Sequence, residues 1–293
     1  MTNRDQILAK SAGEVSLGRE LRVHRLGYGA MRLTGDGIWG PPRERNKALA
    51  VLRHAVELGV NFIDTADSYG PNVNEELIAE ALFPYSNGLV IATKGGWMRP
   101  GPNQWTHNAT PAHLRLAVEG SLKRLRIDRI DVYQLHIPDP IVSLEASIGA
   151  LAELREQGKI REVALSNVTR EHIERARKIV PIVSVQNRYS FADREWDYVV
   201  NYCESSGIAF IPWFPLGAGK VQGEALTSIA KAHRATPMQV ALAWLLRRSP
   251  IMLPIPGTSS IEHLEENVAS AAIALTEEEF ARLAGVPQLV ATR

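Results

Sequence analysis

Four residues of this 293-residue chain, Asp64, Tyr69, Lys94 and His136, have types and positions that suit chemistry. They sit at or just past the ends of successive apolar runs: NFI before Asp64, GLVIAT before Lys94 and DVYQL before His136. A helical pattern follows each run. In a closed barrel of alternating strands and helices the C-terminal strand ends share one face, and that face carries the active site. Residues distant in sequence then meet in one pocket. The set supplies a phenol as acid, an ammonium beside it, a carboxylate to hold the ammonium, and a neutral polar ring. A free phenol has a pKa of about 10, and an adjacent cation favours phenolate and is expected to lower that value. Such a set suits proton delivery to a carbonyl oxygen while another group delivers hydride. His136 is placed to hydrogen-bond the carbonyl and orient it.

The elements that must position these residues follow from periodicity. RLGYGA precedes a helix over 43–58, NFIDT one over 74–82, and GLVIAT one over 110–125. DVYQL precedes a helix over 143–157, IREVALS one over 169–178, and IVSVQ one over 196–205. GIAFIPW precedes one or two helices over 222–248, and MLPIP precedes the last of the barrel, 260–268. Short continuous apolar runs suit strands buried on both faces, and eight strand–helix repeats point to an α/β fold, a (β/α)8 TIM barrel. EVSL and LRVHRLG around a Gly turn predict a short N-terminal β-hairpin that covers one barrel end. Thr110-Pro111 and Thr236-Pro237 read as helix starts. Thr276, with Glu279 set for a capping box, begins an extra C-terminal helix. With no linker or low-complexity tract, 1–293 reads as a single domain.

Bulk properties narrow the classes. A formal charge of +1 gives no reason to expect nucleic acid or an anionic membrane as partner. The first dozen residues are polar, and the apolar stretch 207–219 is too short and too broken by Pro and Gly to span a bilayer. A cytoplasmic location is expected, with the two Asn-x-Ser/Thr triplets at Asn108 and Asn167 irrelevant to glycosylation. The single Cys203 excludes an internal disulfide and a cysteine-built metal site, and no histidine pairing supports a metal hydrolase. Gly35-Asp-Gly37-Ile-Trp-Gly40 satisfies G-x-G-x-x-G, but Pro41-Pro42 follow and it reads as a loop over the pocket mouth. Asp67, Tyr133 and His113 read as structural or solvent-facing.

The ordered motifs resemble the aldo-keto reductase family. Asp64-Thr-Ala-Asp-Ser-Tyr69-Gly, Ile91-Ala-Thr-Lys94 and Asp131-Val-Tyr-Gln-Leu-His136 match its catalytic strand ends. The resemblance, which runs from about residue 22 to 285, implies a nicotinamide cofactor. Leu165-Ser166-Asn167 and Val185-Gln186-Asn187 look like the segments that grip the carboxamide, chiefly through Ser166, Asn167 and Gln186. Trp213-Phe214-Pro215-Leu216-Gly217 looks like the segment that stacks on the nicotinamide, with Trp213 where an aromatic such as tyrosine is usual. The first strand end, Gly29, Ala30 and Met31, joins this surface. Ile255, Pro256, Gly257, Thr258, Ser260, His263, Glu266 and Asn267 look like the adenosine-phosphate segment. That segment departs from NADPH-preferring members, for no Lys or Arg occurs from Ile255 to Asn267. NADPH is the favoured cofactor, held by hydroxyls and helix-start N–H groups, with NADH the second candidate.

Loops carrying Met31, Trp39, Trp97, Met98, Arg99 and Trp105 should rim a substrate pocket, an apolar aromatic lining around one basic group. The expected activity is NADPH-dependent reduction of aldehydes and ketones to alcohols, with aromatic aldehydes such as pyridoxal as the narrower suggestion. The partner is a small carbonyl substrate, and the chain reads as a monomer or weak oligomer. The rival is a nicotinamide-nucleotide-sensing binding subunit with the same barrel and little turnover.

Overall fold

The computed structural model describes residues 8–217 and 223–285. Its elements run β1 (Glu14–Leu17), β2 (Leu21–His24), β3 (Tyr28–Gly29), α1 (Arg45–Glu57), β4 (Phe62–Asp64) and α2 (Val73–Leu82). Next come β5 (Val90–Gly95), β6 (Trp97–Met98), β7 (Thr106–His107), α3 (Pro111–Leu125), β8 (Ile130–Leu135) and α4 (Leu144–Glu156). Then follow β9 (Ile160–Ser166), α5 (Arg170–Ala176), β10 (Ile182–Arg188), α6 (Asp197–Ser206) and β11 (Ala209–Trp213). The last described elements are α7 (Glu224–Ala232), α8 (Pro237–Arg248), α9 (Ile261–Ala269) and α10 (Glu277–Ala284). Of the one or two helices expected over 222–248, two form, and position 222 lies outside the described residues.

Seven strands form one parallel sheet in the order β11-β10-β9-β8-β5-β4-β3. The eighth run, 252–256, is not a ladder strand, because Pro254 and Pro256 have no N–H to donate. It nevertheless closes the ring. Leu253 N donates to Phe210 O at 2.8 Å on one side, and Gly27 N donates to Pro254 O at 2.9 Å on the other. The first strand is shorter than expected, since Ala30 already begins a 3-10 turn. Close approach dictates glycine here: a Cβ on Gly257 would lie 2.5 Å from Gly29 O, and one on Gly29 would lie 2.7 Å from Ile255 O.

Side-chain alternation fixes which barrel end is free. Val15, Leu17, Leu21 and Val23 of the antiparallel β1–β2 hairpin pack inside the barrel against Phe62, Val90, Val132, Val183 and Ile211. Each such apolar side chain contributes about 1.5–3 kcal/mol when fully buried. The hairpin thus plugs the N-terminal strand ends and leaves the C-terminal ends for polar groups. Helix starts hold as expected: Thr110, Thr236 and Thr276 cap α3, α8 and α10, the last two through capping boxes with Gln239 and Glu279. The region 96–109, expected to be a loop, contains the β6–β7 hairpin. No helix among the described residues is long and apolar enough to cross a membrane.

Candidate active site

Asp64 ends β4, Lys94 lies near the end of β5, and His136 follows β8, so all three reach the open face. Lys94 is fully buried and its three N–H donors are all used. Nζ donates to Asp64 Oδ1 at 2.6 Å, to Thr65 O at 2.8 Å and to Tyr69 Oη at 3.2 Å. Asp64 is braced in turn, its Oδ2 accepting from Gln134 Nε2 and Gln186 Nε2, both at 2.8 Å. Gln134 did not stand out in the sequence. Yet it is a polar residue inside the apolar run of β8, two positions after the barrel-facing Val132 and two before His136, a spacing that puts all three on one face. Gln186, expected to face a carboxamide, gives its amide N–H to Asp64.

The electrostatics follow from burial. Desolvation pushes the Tyr69 phenol above its ordinary pKa, and the opposing pull of Lys94 does not overcome it. The expected net lowering is thus corrected: the phenol is protonated at neutral pH. Burial works against the Lys94 ammonium too, but Asp64 and Tyr69 outweigh it and hold that group above its ordinary value. Burial first, and the Lys94 charge second, drive His136 well below the usual histidine range. The site therefore combines a neutral acid, a fixed cation and a neutral imidazole.

An aromatic wall surrounds the imidazole. Tyr69 meets His136 edge-on at 5.8 Å between ring centroids, and Trp97 and Trp105 each do so at 6.5 Å. Ser68 Oγ lies 3.4 Å from His136 Nδ1, at the long limit for a hydrogen bond. Arg99 stacks on Trp105, Cζ 3.7 Å from the ring centroid, and stands 5.9 Å from Trp39. Of the six residues expected to rim the pocket, Trp39, Trp97, Arg99 and Trp105 thus lie together. Met98 is exposed on β6 and Met31 half-buried beyond Ala30. The Gly35–Gly40 loop folds onto the turn after Tyr69, with Gly40 N donating to Gly70 O at 2.7 Å. Asp67 and Tyr133 are buried rather than solvent-facing, and His113 is half-buried. Cys203 is fully buried in the core.

A second group gathers beside the tetrad. Asn167, in the left-handed region at φ 57°, donates from Nδ2 to His136 O at 3.0 Å and to Ser166 Oγ at 3.1 Å. Its Oδ1 accepts from Trp213 Nε1 at 3.1 Å. Phe214 is also left-handed, Pro215 is buried, Leu216 is half-buried, and Gly217 N closes a turn onto Phe214 O. Asn187 points elsewhere, its amide bonded to both backbone groups of Val168. Across the barrel, Tyr28 Oη donates to Thr258 O at 2.5 Å and joins the Gly29–Met31 end to Ile255–Thr258. Ser260 caps α9 by accepting from His263 N at 3.2 Å. His263 and Glu266 are exposed, while Asn267 is buried with its carbonyl bonded to Ser270.

Comparison with known proteins gives the same reading. The model of the aldo/keto reductase family matches residues 25–287. The pyridoxine 4-dehydrogenase of Escherichia coli is 47% identical over 283 residues, spanning 94% of this chain and 99% of that protein. An uncharacterized oxidoreductase of Schizosaccharomyces pombe is 48% identical over 277 residues, spanning 94% and 90%. Among solved structures, an aldo/keto reductase from Klebsiella pneumoniae in complex with NADP and acetate superposes with a TM-score of 0.80. It is 28% identical, covering 92% of this chain and 93% of that one.

Proposed function

This chain belongs to the aldo/keto reductase family, and we propose that it reduces aldehydes and ketones to alcohols with NADPH, aromatic aldehydes such as pyridoxal among them. The observation that carries the reading is the buried triad in which Lys94, held by Asp64, reaches Tyr69 Oη at 3.2 Å. We read residues 1–293 as one catalytic domain acting on small carbonyl compounds, in the cytoplasm and as a monomer or weak oligomer.

The residues suit a nicotinamide dinucleotide. Ser166 at the end of β9 offers a hydroxyl to a carboxamide, and Asn167 Oδ1, which accepts one bond from Trp213, offers its second lone pair, with Gln186 alongside. Trp213 at the end of β11 offers an aromatic face, followed by Phe214, Pro215, Leu216 and Gly217. Gly29, Ala30 and Met31 face Ile255, Pro256 and Gly257 at a backbone approach that side chains would block. Thr258, Ser260 and His263 lie at the start of α9, where helix N–H groups favour a phosphate, and Glu266 and Asn267 follow on the same helix. When bound, the dinucleotide supplies hydride to the carbonyl carbon.

Tyr69 gives its proton to the carbonyl oxygen as charge develops there. Its high pKa keeps the proton in place beforehand. The phenolate left behind is stabilised by Lys94, whose charge Asp64 maintains. Gln134 and Gln186 hold Asp64 so that the ammonium cannot shift away. His136, kept neutral by burial, hydrogen-bonds the carbonyl oxygen without competing as an acid. Trp97 and Trp105 exclude water and favour a flat apolar body beside the carbonyl. The likeness to a pyridoxine 4-dehydrogenase supports a pyridoxal-like substrate.

The test follows the loss of NADPH, and in parallel NADH, with pyridoxal, 4-nitrobenzaldehyde and a 1,2-dicarbonyl. Turnover is expected, faster with NADPH. Pyridoxal is abandoned as a substrate if it turns over no faster than simple benzaldehydes at equal concentration. Tight NADPH binding with no turnover on any carbonyl favours the nucleotide-sensing subunit. Failure to bind either nucleotide overturns the reading.

A further inference from the structure

We propose that Arg99 is a positioning residue: it assembles the carbonyl pocket and fixes the peptide that carries Tyr69, and it is not a cation offered to the substrate. This rests on the reductase reading and deepens it.

Arg99 is 8% exposed and sits just past β6. Nε donates to Gln104 O at 2.9 Å, Nη1 to Ile38 O at 2.9 Å and Ser68 O at 3.1 Å, and Nη2 to Gly37 O at 2.8 Å. An arginine has five N–H donors in one plane, so these four bonds leave almost nothing for an anion. The acceptors come from three separate loops, those after β3, after β4 and between β6 and β7. The planar face then lies against Trp105 at 3.7 Å. One side chain thus ties three loops together and sets the tilt of the indole that faces His136.

The bond to Ser68 O has the most direct consequence. That carbonyl belongs to the peptide joining Ser68 to Tyr69, so the guanidinium holds the backbone from which the phenol projects. Ser68 Oγ in turn lies beside His136 Nδ1. A misplacement of about 1 Å at such a point is enough to cost on the order of a hundredfold in rate. The pocket is consequently built before substrate arrives, and its selectivity comes from aromatic shape. Lysine cannot substitute: it keeps the charge but has only three donors on a flexible stem and no plane to stack.

Arg99→Lys and Arg99→Met separate the alternatives when both are assayed with benzaldehyde and 4-carboxybenzaldehyde. Both variants should lower kcat/KM at least about tenfold for both substrates, with the ratio between substrates unchanged. NADPH Kd, measured by calorimetry, should stay within about twofold of wild type, which also reports that each variant is folded. Wild-type kcat/KM in Arg99→Lys would show that charge alone suffices and overturn the proposal. A loss confined to the carboxylated substrate would do the same by making Arg99 an anion site, as would wild-type kinetics in Arg99→Met. Should Arg99→Met not fold, Arg99→Lys alone decides. Absence of NADPH binding or turnover in the unmodified protein is a different result, and it removes the reductase reading itself.

Discussion

Trp213 Nε1 donates to Asn167 Oδ1 at 3.1 Å, and this single bond settles which way the Asn167 amide faces. With Oδ1 taken by a donor, Nδ2 must serve His136 O and Ser166 Oγ. The aromatic ring expected beneath the nicotinamide is thereby tied to the backbone of the site histidine. A tyrosine or phenylalanine at 213 has no N–H in that place.

Trp213→Phe keeps an aromatic face and removes the donor. The lost bond is worth roughly 1 kcal/mol, so NADPH Kd should rise about fivefold by calorimetry. In an Asn167→Ala background the same change should have no further effect. Equal effects in both backgrounds would show that the two residues act independently.

The proposed 2′-phosphate site at the start of α9 makes cofactor choice testable. Ser260 Oγ accepts from His263 N and donates to Glu262 Oε2, and on the proposed reading Thr258, Ser260 and the exposed His263 are the groups offered to a 2′-phosphate. Replacing the three by alanine should weaken NADPH at least about tenfold more than NADH, since charge-assisted bonds to a phosphate are lost only for the first. Any loss of stability from removing the Ser260 cap affects both cofactors alike. Equal losses in titrations with each cofactor would contradict the assignment.

Asp67 carries a pH signature. Its Oδ1 is buried without a partner, and burial, then the charge of Glu75, push the carboxyl up to about 8 against the pull of Arg124. Between its unfolded value near 4 and about 8 the unfolded chain releases a proton that the fold retains, so stability falls as pH rises through that window. Asp67→Asn removes the effect. Its Tm should exceed that of wild type by a few degrees at pH 8 and match it near pH 4.5. A gap of the same size at both pH values would mean that Asp67 does not hold its proton in the fold.

The barrel and the strand ends that bring Asp64, Lys94 and His136 together were legible because strand periodicity carries them. A polar residue ending an apolar run must face the open end, and Asp64, Lys94 and His136 all do. Helix caps at Thr110, Thr236 and Thr276 were legible for the same local reason. Contacts made across the sheet were not. Nothing local says that Gln134 and Gln186 meet on one oxygen of Asp64, or that the donors of Arg99 would go to four backbone carbonyls. The sign of the Tyr69 shift depended on burial, which no spacing reveals. The eighth strand failed as a ladder because proline removes donors that an apolar pattern does not count.

The most direct test of the central claim is Tyr69→Phe, measured for NADPH affinity and for single-turnover reduction. The substitution removes only the hydroxyl that Lys94 contacts. NADPH Kd should stay within about twofold, and turnover should fall roughly 10²–10⁴-fold, the usual worth of a positioned acid. A variant that kept the wild-type kcat would show that Tyr69 does not supply the proton.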